Sequence, residues 1–206
     1  MASYTAINGV LLALEQFFTS RMPAALSAGP VNARVELLGS ADIGDPLSGN
    51  VLGIYLHRIE IDPHGRSRFF SPQGANSATE TRELPINLHL LLIASASSAT
   101  IEANIMAWAM IQLANECHLD ISHMAENDDS WTEKEILTVT PAEMSNEDLM
   151  RIWDALDTPY TNSVPYIVKT IRLRLQSVES VGPPVITRVF PHGTARATRT
   201  EATGTE

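Results

Sequence analysis

The chain has 206 residues, 44% of them hydrophobic and 18% charged, which fits one globular domain with a tail better than two full domains. Its formal net charge of -10 argues against nucleic-acid binding as the main activity, because neutralising phosphates takes clustered Lys and Arg. The single cysteine, Cys117, excludes an intrachain disulfide and a multi-thiolate zinc site, and one free thiol suits a reducing compartment.

Residues Tyr4 to Arg21 place Ile7, Val10, Leu11, Leu14, Phe17 and Phe18 at helical spacing, with Ser3 or Thr5 as cap and Met22-Pro23 as stop. Glu15 and Gln16 interrupt this apolar stretch, and no basic leader precedes it. It reads as an amphipathic helix and not as a signal peptide or membrane span, so a cytoplasmic protein without membrane insertion is expected. Val31 to Leu38 alternates apolar and polar residues and predicts a half-buried strand. Gly39 to Asn50 is a loop punctuated by Gly39, Gly44, Pro46 and Gly49.

Val51 to Asp62 predicts a central strand whose far end emerges into solvent. Pro63 to Arg82 is long, polar and rich in Gly, Pro and Ser, and reads as a mobile or partner-ordered loop. Leu84 to Ala96 is the most hydrophobic strand, and its unbroken apolar run predicts that both faces are covered. Ser98 to Leu119 predicts a helix with Ile101, Ile105, Trp108, Ile111 and Leu113 or Ala114 as core stripe. A short strand is expected over Glu135–Val139.

Ser145 opens the next helix with Asp148 three residues on, a capping-box variant, and Leu149, Ile152, Trp153 and Leu156 form its apolar stripe. Thr158-Pro159-Tyr160 ends it, and Pro165 to Gln176 is the last strong strand. Val185–Phe190 predicts a short strand after Gly182-Pro183-Pro184. From Pro191 no apolar residue exceeds alanine, so the tail cannot offset its ordering entropy alone. The order implies an α/β chain of the α+β type. A mixed, mainly antiparallel sheet of about four to six strands packs with about three helices over residues 1–180, followed by an arm over 181–206.

Chemistry-bearing patterns are weak. No glycine-rich phosphate loop and no nucleophile elbow occurs. Cys117, His118, Asp120 and His123 are residue types that ligate zinc, which supports a metal-dependent hydrolase as an alternative. Without a second ligand pair, histidines at the negative end of a helix explain them as well. His57 and His89 lie on adjacent strands and read as a hydrogen-bonded structural pair before a proton-handling one. Asp154 and Asp157 are helical neighbours but flank an apolar stripe as solvent-facing residues do. Trp108 and Trp153 sit on core stripes, whereas Trp131 lies among acids and reads as an interface anchor.

Acid concentrates between His123 and Asp157, including Glu126, Asp128, Asp129, Glu143, Glu147, Asp148 and Asp154, opposed only by Lys134 and Arg151. This is a solvated face that keeps the subunit soluble, or a docking patch for a basic surface such as Arg172 and Arg174.

The blocks LGIYLHRIEID at 52–62, PINLHLLLIAS at 85–95, NIMAWAMIQLANE at 104–116 and the segment from Met144 through Trp153, Pro159 and Tyr160 to Tyr166 occur in an order and spacing that can be read together. This succession resembles the amino-terminal domain of the Pvc16-like cap proteins, the tail terminators of extracellular contractile injection systems. The resemblance covers roughly residues 3–177. It implies a tail-terminator-like subunit that forms a hexameric ring on the distal end of the inner tube and sheath, ends elongation and stabilises the extended sheath. It implies no enzyme activity and no cofactor or metal. Ser145, Asp148, Trp153, Pro159 and Tyr160 are then fold determinants. Partner contacts fall to the 63–82 loop, the acidic face and the arm with Val185, Ile186, Val189 and Phe190. An adaptor or head–tail completion ring of a phage-like tail is the alternative within the same class.

Overall fold

The computed structural model describes residues 4–43, 47–62, 83–119, 131, 136–156 and 159–174. The chain divides into two units, Met1–Gln176 and Ser177–Glu206, and all described residues belong to the first. The elements are α1 (Ala6–Arg21), α2 (Ala24–Ser27), β1 (Arg34–Leu38), β2 (Val51–Ile61), β3 (Glu83–Ser95), α3 (Ala99–Asn115), β4 (His118–Leu119), β5 (Leu137–Pro141), α4 (Asn146–Ala155) and β6 (Ser163–Arg174). The strands form one six-stranded sheet in the order β1-β2-β3-β6-β5-β4. Only β1 and β2 are parallel. The mixed, mainly antiparallel α+β architecture expected from the sequence is the one observed.

β3 is the centre of the sheet because its side chains find apolar cover on both faces. Leu88, Leu90, Leu92 and Ala94 point to the first face, where α1 contributes Val10, Leu14, Phe17 and Phe18, and α3 contributes Ile105, Met106, Ala109 and Leu113. Leu91 and Ile93 point to the second face and meet Leu38, Ile43, Tyr55 and Trp153. Each such leucine removed from water contributes roughly 1.5–3 kcal/mol, so the run that reads as buried on both sides is the main stabilising strip. The two helices are joined by Phe18 and Trp108, edge to face with ring centroids 5.7 Å apart. An ion pair between Arg21 and Glu116 ties their carboxy-terminal ends.

Several details differ from the sequence reading; the short strand expected over Glu135–Val139, for one, runs from Leu137 to Pro141. β1 begins at Arg34 and not at Val31, because Asn32 takes a left-handed backbone with φ 40°, which ends extended structure before it. The side-chain amide of Asn50, itself buried, donates to the carbonyl of Val31 and accepts from the backbone N–H of Ser97 at 2.8 Å. That residue pins the entry of β1 to the β3–α3 junction. α3 stops at Asn115, so His118 lies in the short strand β4 and not at a helix end. α3 also turns Met106 and Ala109 into the core and leaves Ile111, expected in the stripe, mostly exposed.

Among the described residues, the second face is covered over one half only. α4 lies there through Leu149, Ile152, Trp153 and Leu156, over the end of the sheet where β3 finishes. At the opposite end β2 finishes at Ile61, β3 begins at Glu83 and β6 finishes at Arg174. β4 and β5 also direct Leu119 and Leu137 toward that end. The chain therefore leaves and re-enters the described fold repeatedly at one end of the sheet.

Candidate interface surfaces

At the end of the second face that no described helix covers, the side chains are polar. Arg58 is in register with His89, and Glu60 with Asn87, so alternation puts all four on one face. His57 is the extra residue of an irregularity between Leu56 and Arg58. Such a bulge re-aims its side chain, and its ring meets His89 edge to face with centroids 6.0 Å apart. The two rings do not bond each other. His89 Nε2 pairs with Glu60 Oε2 at 2.9 Å, while His57 Nε2 is buried with no hydrogen-bond partner among the described residues. Burial first, then the neighbouring His89 and Arg58, lower the pKa of His57 from 6.5 to about 4. The expected hydrogen bond between the two rings is therefore not the one formed: the bond runs from His89 to Glu60, which sequence reasoning did not single out.

Further along the same end, Lys169, Thr170 and Arg172 of β6 and Thr138 of β5 border a cleft of about 370 Å³ together with Trp131, Ile136 and Leu137. Arg58, Lys169 and Arg172 are all exposed, so this end carries cations on a chain that is acidic overall. The exposed acids described near α4 are Glu143, Glu147, Asp148 and Asp154, with Arg151 paired to Glu147. Among the described residues, Lys169 and Arg172 thus lie at the other end of the sheet from the acids around α4, although Glu60 shares their end.

The start of α4 is built as its sequence predicts. The Ser145 hydroxyl oxygen accepts the backbone N–H of Asp148 at 3.1 Å and donates to Asp148 Oδ2 at 2.7 Å. This satisfies one of the unpaired donors of the first turn and puts a carboxylate at the positive end of the helix. Trp153 is 4% exposed. It donates from Nε1 to Ser163 Oγ at 3.1 Å and stacks edge to face on Tyr160 at 5.8 Å. Pro159 is exposed in the connection that follows, and Tyr160 is half exposed. The segment that reads as a family signature therefore locks one helix onto the first residue of β6.

Trp131 does not fit an interface anchor on an acidic loop: it is 8% exposed and belongs to the helix-side core. Its Nε1 lies close to α1, 3.5 Å from where a side chain on Gly9 would begin, and burial of the large apolar area of the indole favours that placement. Arg172 stands on the exposed end of β6 and Arg174 follows on the same strand. His118 is exposed and its Nδ1 meets Thr138 Oγ1 at 3.3 Å, while Cys117 is half buried. Asp120 and His123 lie outside the described residues, as do Asp128, Asp129, the 63–82 loop, and Val185, Ile186, Val189 and Phe190. Among the described residues no group of three His, Cys, Asp or Glu side chains converges on a metal-sized space, and no described helix is long and apolar enough to cross a membrane.

The fold is similar to two solved structures. One is the sheath/tube terminator of the PVC extracellular contractile injection system in its extended state, with a TM-score of 0.56 and 17% identity over 99% of this chain and 66% of that one. The other is the tube-terminating cap of the anti-feeding prophage, with a TM-score of 0.54 and 14% identity over 92% of this chain and 61% of that one. The present chain thus spans about two thirds, or slightly less, of these solved relatives. Comparison with curated proteins finds no match. The model of the Pvc16 N-terminal domain matches residues 9–187, and the chain belongs to that family.

Proposed function

We propose that this chain is a structural cap, or tail terminator, of a contractile injection particle. In this reading it forms a hexameric ring on the distal end of the inner tube and sheath, stops elongation and holds the sheath extended. The observation that carries the reading is the family match over 9–187. The similarity in fold to two proteins that are themselves a sheath/tube terminator and a tube-terminating cap supports it. The role is mechanical rather than catalytic, with assembly in the cytoplasm and release of the finished particle by lysis.

Physical features support the same reading. A ring needs two different patches that meet head to tail, and the separation of the cationic end of β6 from the acids around α4 supplies patches of opposite sign. We take Arg172 and Arg174 to face acids of a neighbouring subunit, tube or sheath. We take the arm containing Val185–Phe190 to dock by strand addition.

The test is direct binding. Purified chain is mixed with isolated tube and sheath from the same particle and imaged in negative stain. Six-fold rings seated at one end of the tube or sheath are expected. Removing residues 183–206 is expected to leave a folded subunit with impaired sheath binding, and added salt should weaken assembly. Binding to a head or portal component in preference to tube and sheath would overturn the cap reading in favour of a completion ring.

A further inference from the structure

β2 has 11 residues, but β1 pairs only with the part from Val51 to Tyr55. Among the described residues, Leu56–Ile61 has a strand on one side only, namely β3. The direction of its free backbone groups follows from a single bond: Asp62 donates its N–H to the carbonyl of Pro85, continuing the register in which Ile61 opposes Ile86. Direction alternates along an antiparallel strand. Glu60 and Arg58 therefore turn their backbone groups inward to β3, and Ile59 and Ile61 turn theirs outward to the open edge. Their side chains are open too. Ile59 is 51% and Ile61 46% exposed, although their cross-strand partners Leu88 and Ile86 are core residues. On the other face Arg58 and Glu60 form an ion pair at 3.1 Å.

We propose that this edge is an interaction surface for a second copy of the chain, which adds its own β2 edge antiparallel about a two-fold axis with Ile59 opposite Ile59. Two independent features select this register. Outward backbone groups sit on odd-numbered residues, so pairing joins odd with odd, and Ile59 against Ile59 is a hydrogen-bonded pair as the ladder demands. Sliding the pairing to the next allowed register in either direction puts Arg58 against Arg58 or Glu60 against Glu60, which is unfavourable. In the proposed register Arg58 of each copy faces Glu60 of the other. These are non-hydrogen-bonded positions, where side chains approach most closely, with Cβ atoms about 4.5–5.5 Å apart. Each Glu60 then lies between two guanidinium groups, and the isoleucines of both copies meet on the opposite face. Charges on an edge strand usually prevent pairing; here they are self-complementary in one register only.

The contact is short, so a reversible dimer with a dissociation constant on the order of 10–100 μM is expected. It is independent of the cap reading, since a two-fold contact between free subunits is not the head-to-tail contact of a ring. The test is sedimentation of the full chain over a wide concentration range, with far-UV circular dichroism confirming that each variant folds. Wild type is expected to pass from monomer to dimer. Arg58→Glu alone and Glu60→Arg alone are each expected to weaken self-association at least about tenfold, because both reciprocal pairs become like-charged. An equimolar mixture of the two variants should recover it, because each introduced charge then meets its opposite. Ile59→Lys should abolish dimerisation without Glu60 being touched, so the proposal stays testable if Glu60→Arg fails to fold. A wild type that stays monomeric, single variants that dimerise like wild type, or folded variants whose mixture does not recover would each overturn the proposal. Loss of six-fold rings on tube ends would bear on the cap reading and leave this one standing.

Discussion

Replacing Trp153 probes whether the segment from Met144 to Tyr166 acts as a fold determinant. Its indole fills the second-face core beneath α4, so Trp153→Ala removes a fully packed ring and leaves a cavity, which costs about 3–5 kcal/mol. The hydrogen bond to Ser163 can be isolated. Ser163 is only 6% exposed, so Trp153→Phe leaves its hydroxyl without that donor, and Ser163→Ala leaves the indole N–H without its acceptor. Each is expected to cost about 1–2 kcal/mol. The double variant removes both partners together and should cost about 1 kcal/mol less than the sum of the singles. Urea titration followed by far-UV circular dichroism reads all four values, with the shift in midpoint at constant slope as the measure of stability. A Trp153→Ala cost under about 1 kcal/mol would show that packing does not fix α4 as described, and strict additivity of the double variant would show that the hydrogen bond does not.

Other positions make separate tests. A side chain on Gly53 would begin 2.3 Å from Leu38 Cδ1 and 3.1 Å from Leu38 Cγ, so Gly53→Ala should cost about 1–3 kcal/mol, and pairing it with Leu38→Ala should recover part of that loss in the same urea titration. Ser145→Ala removes the cap of α4 and should cost about 1 kcal/mol, with Ser145→Asp restoring most of it; equal losses in both would contradict the capping role. His57 has its folded pKa lowered to about 4 from 6.5, so the unfolded chain binds the extra proton first, and the stability held above pH 6.5 is lost as pH falls toward 4. The full shift corresponds to about 3 kcal/mol, and partial solvent screening of this half-buried ring reduces it to about 1–2 kcal/mol. His57→Gln should flatten the fall in urea midpoint between neutral pH and pH 5 relative to wild type; an unchanged slope would show that other groups control it.

What the sequence made legible follows from how much each pattern constrains. β3 could be read in advance because an unbroken apolar run has few other homes, and β2 because its alternation begins where its cover ends. α4 was legible from its cap and stripe, since Ser145, Asp148 and Trp153 are each demanded locally. The face of α3 was not, because apolar residues lie on several sides of that helix, and the choice of Met106 and Ala109 over Ile111 is made by α1 and β3. α2 spans only Ala24–Ser27 and is too short for periodicity to show. Trp131 misleads because its sequence neighbours are acidic while its spatial neighbours are apolar. On the second face, beyond α4, the proximity of His57 and His89 was visible from adjacent strands. The bulge that aims His57 and the bond from His89 to Glu60 depend on register, which sequence alone leaves open. Leucine and valine patterns likewise give no sign that β6 shifts register to place both Val168 and Ile171 in the core.

Whether this chain closes the tube and sheath, as proposed, is read out by deleting it from cells that make the particle and imaging what they produce. Tubes of uneven length and sheaths that contract early or fail to stay extended are expected, with uniform particles restored by wild type. Uniform, extended particles with normally closed ends in the deletion strain would contradict the proposal.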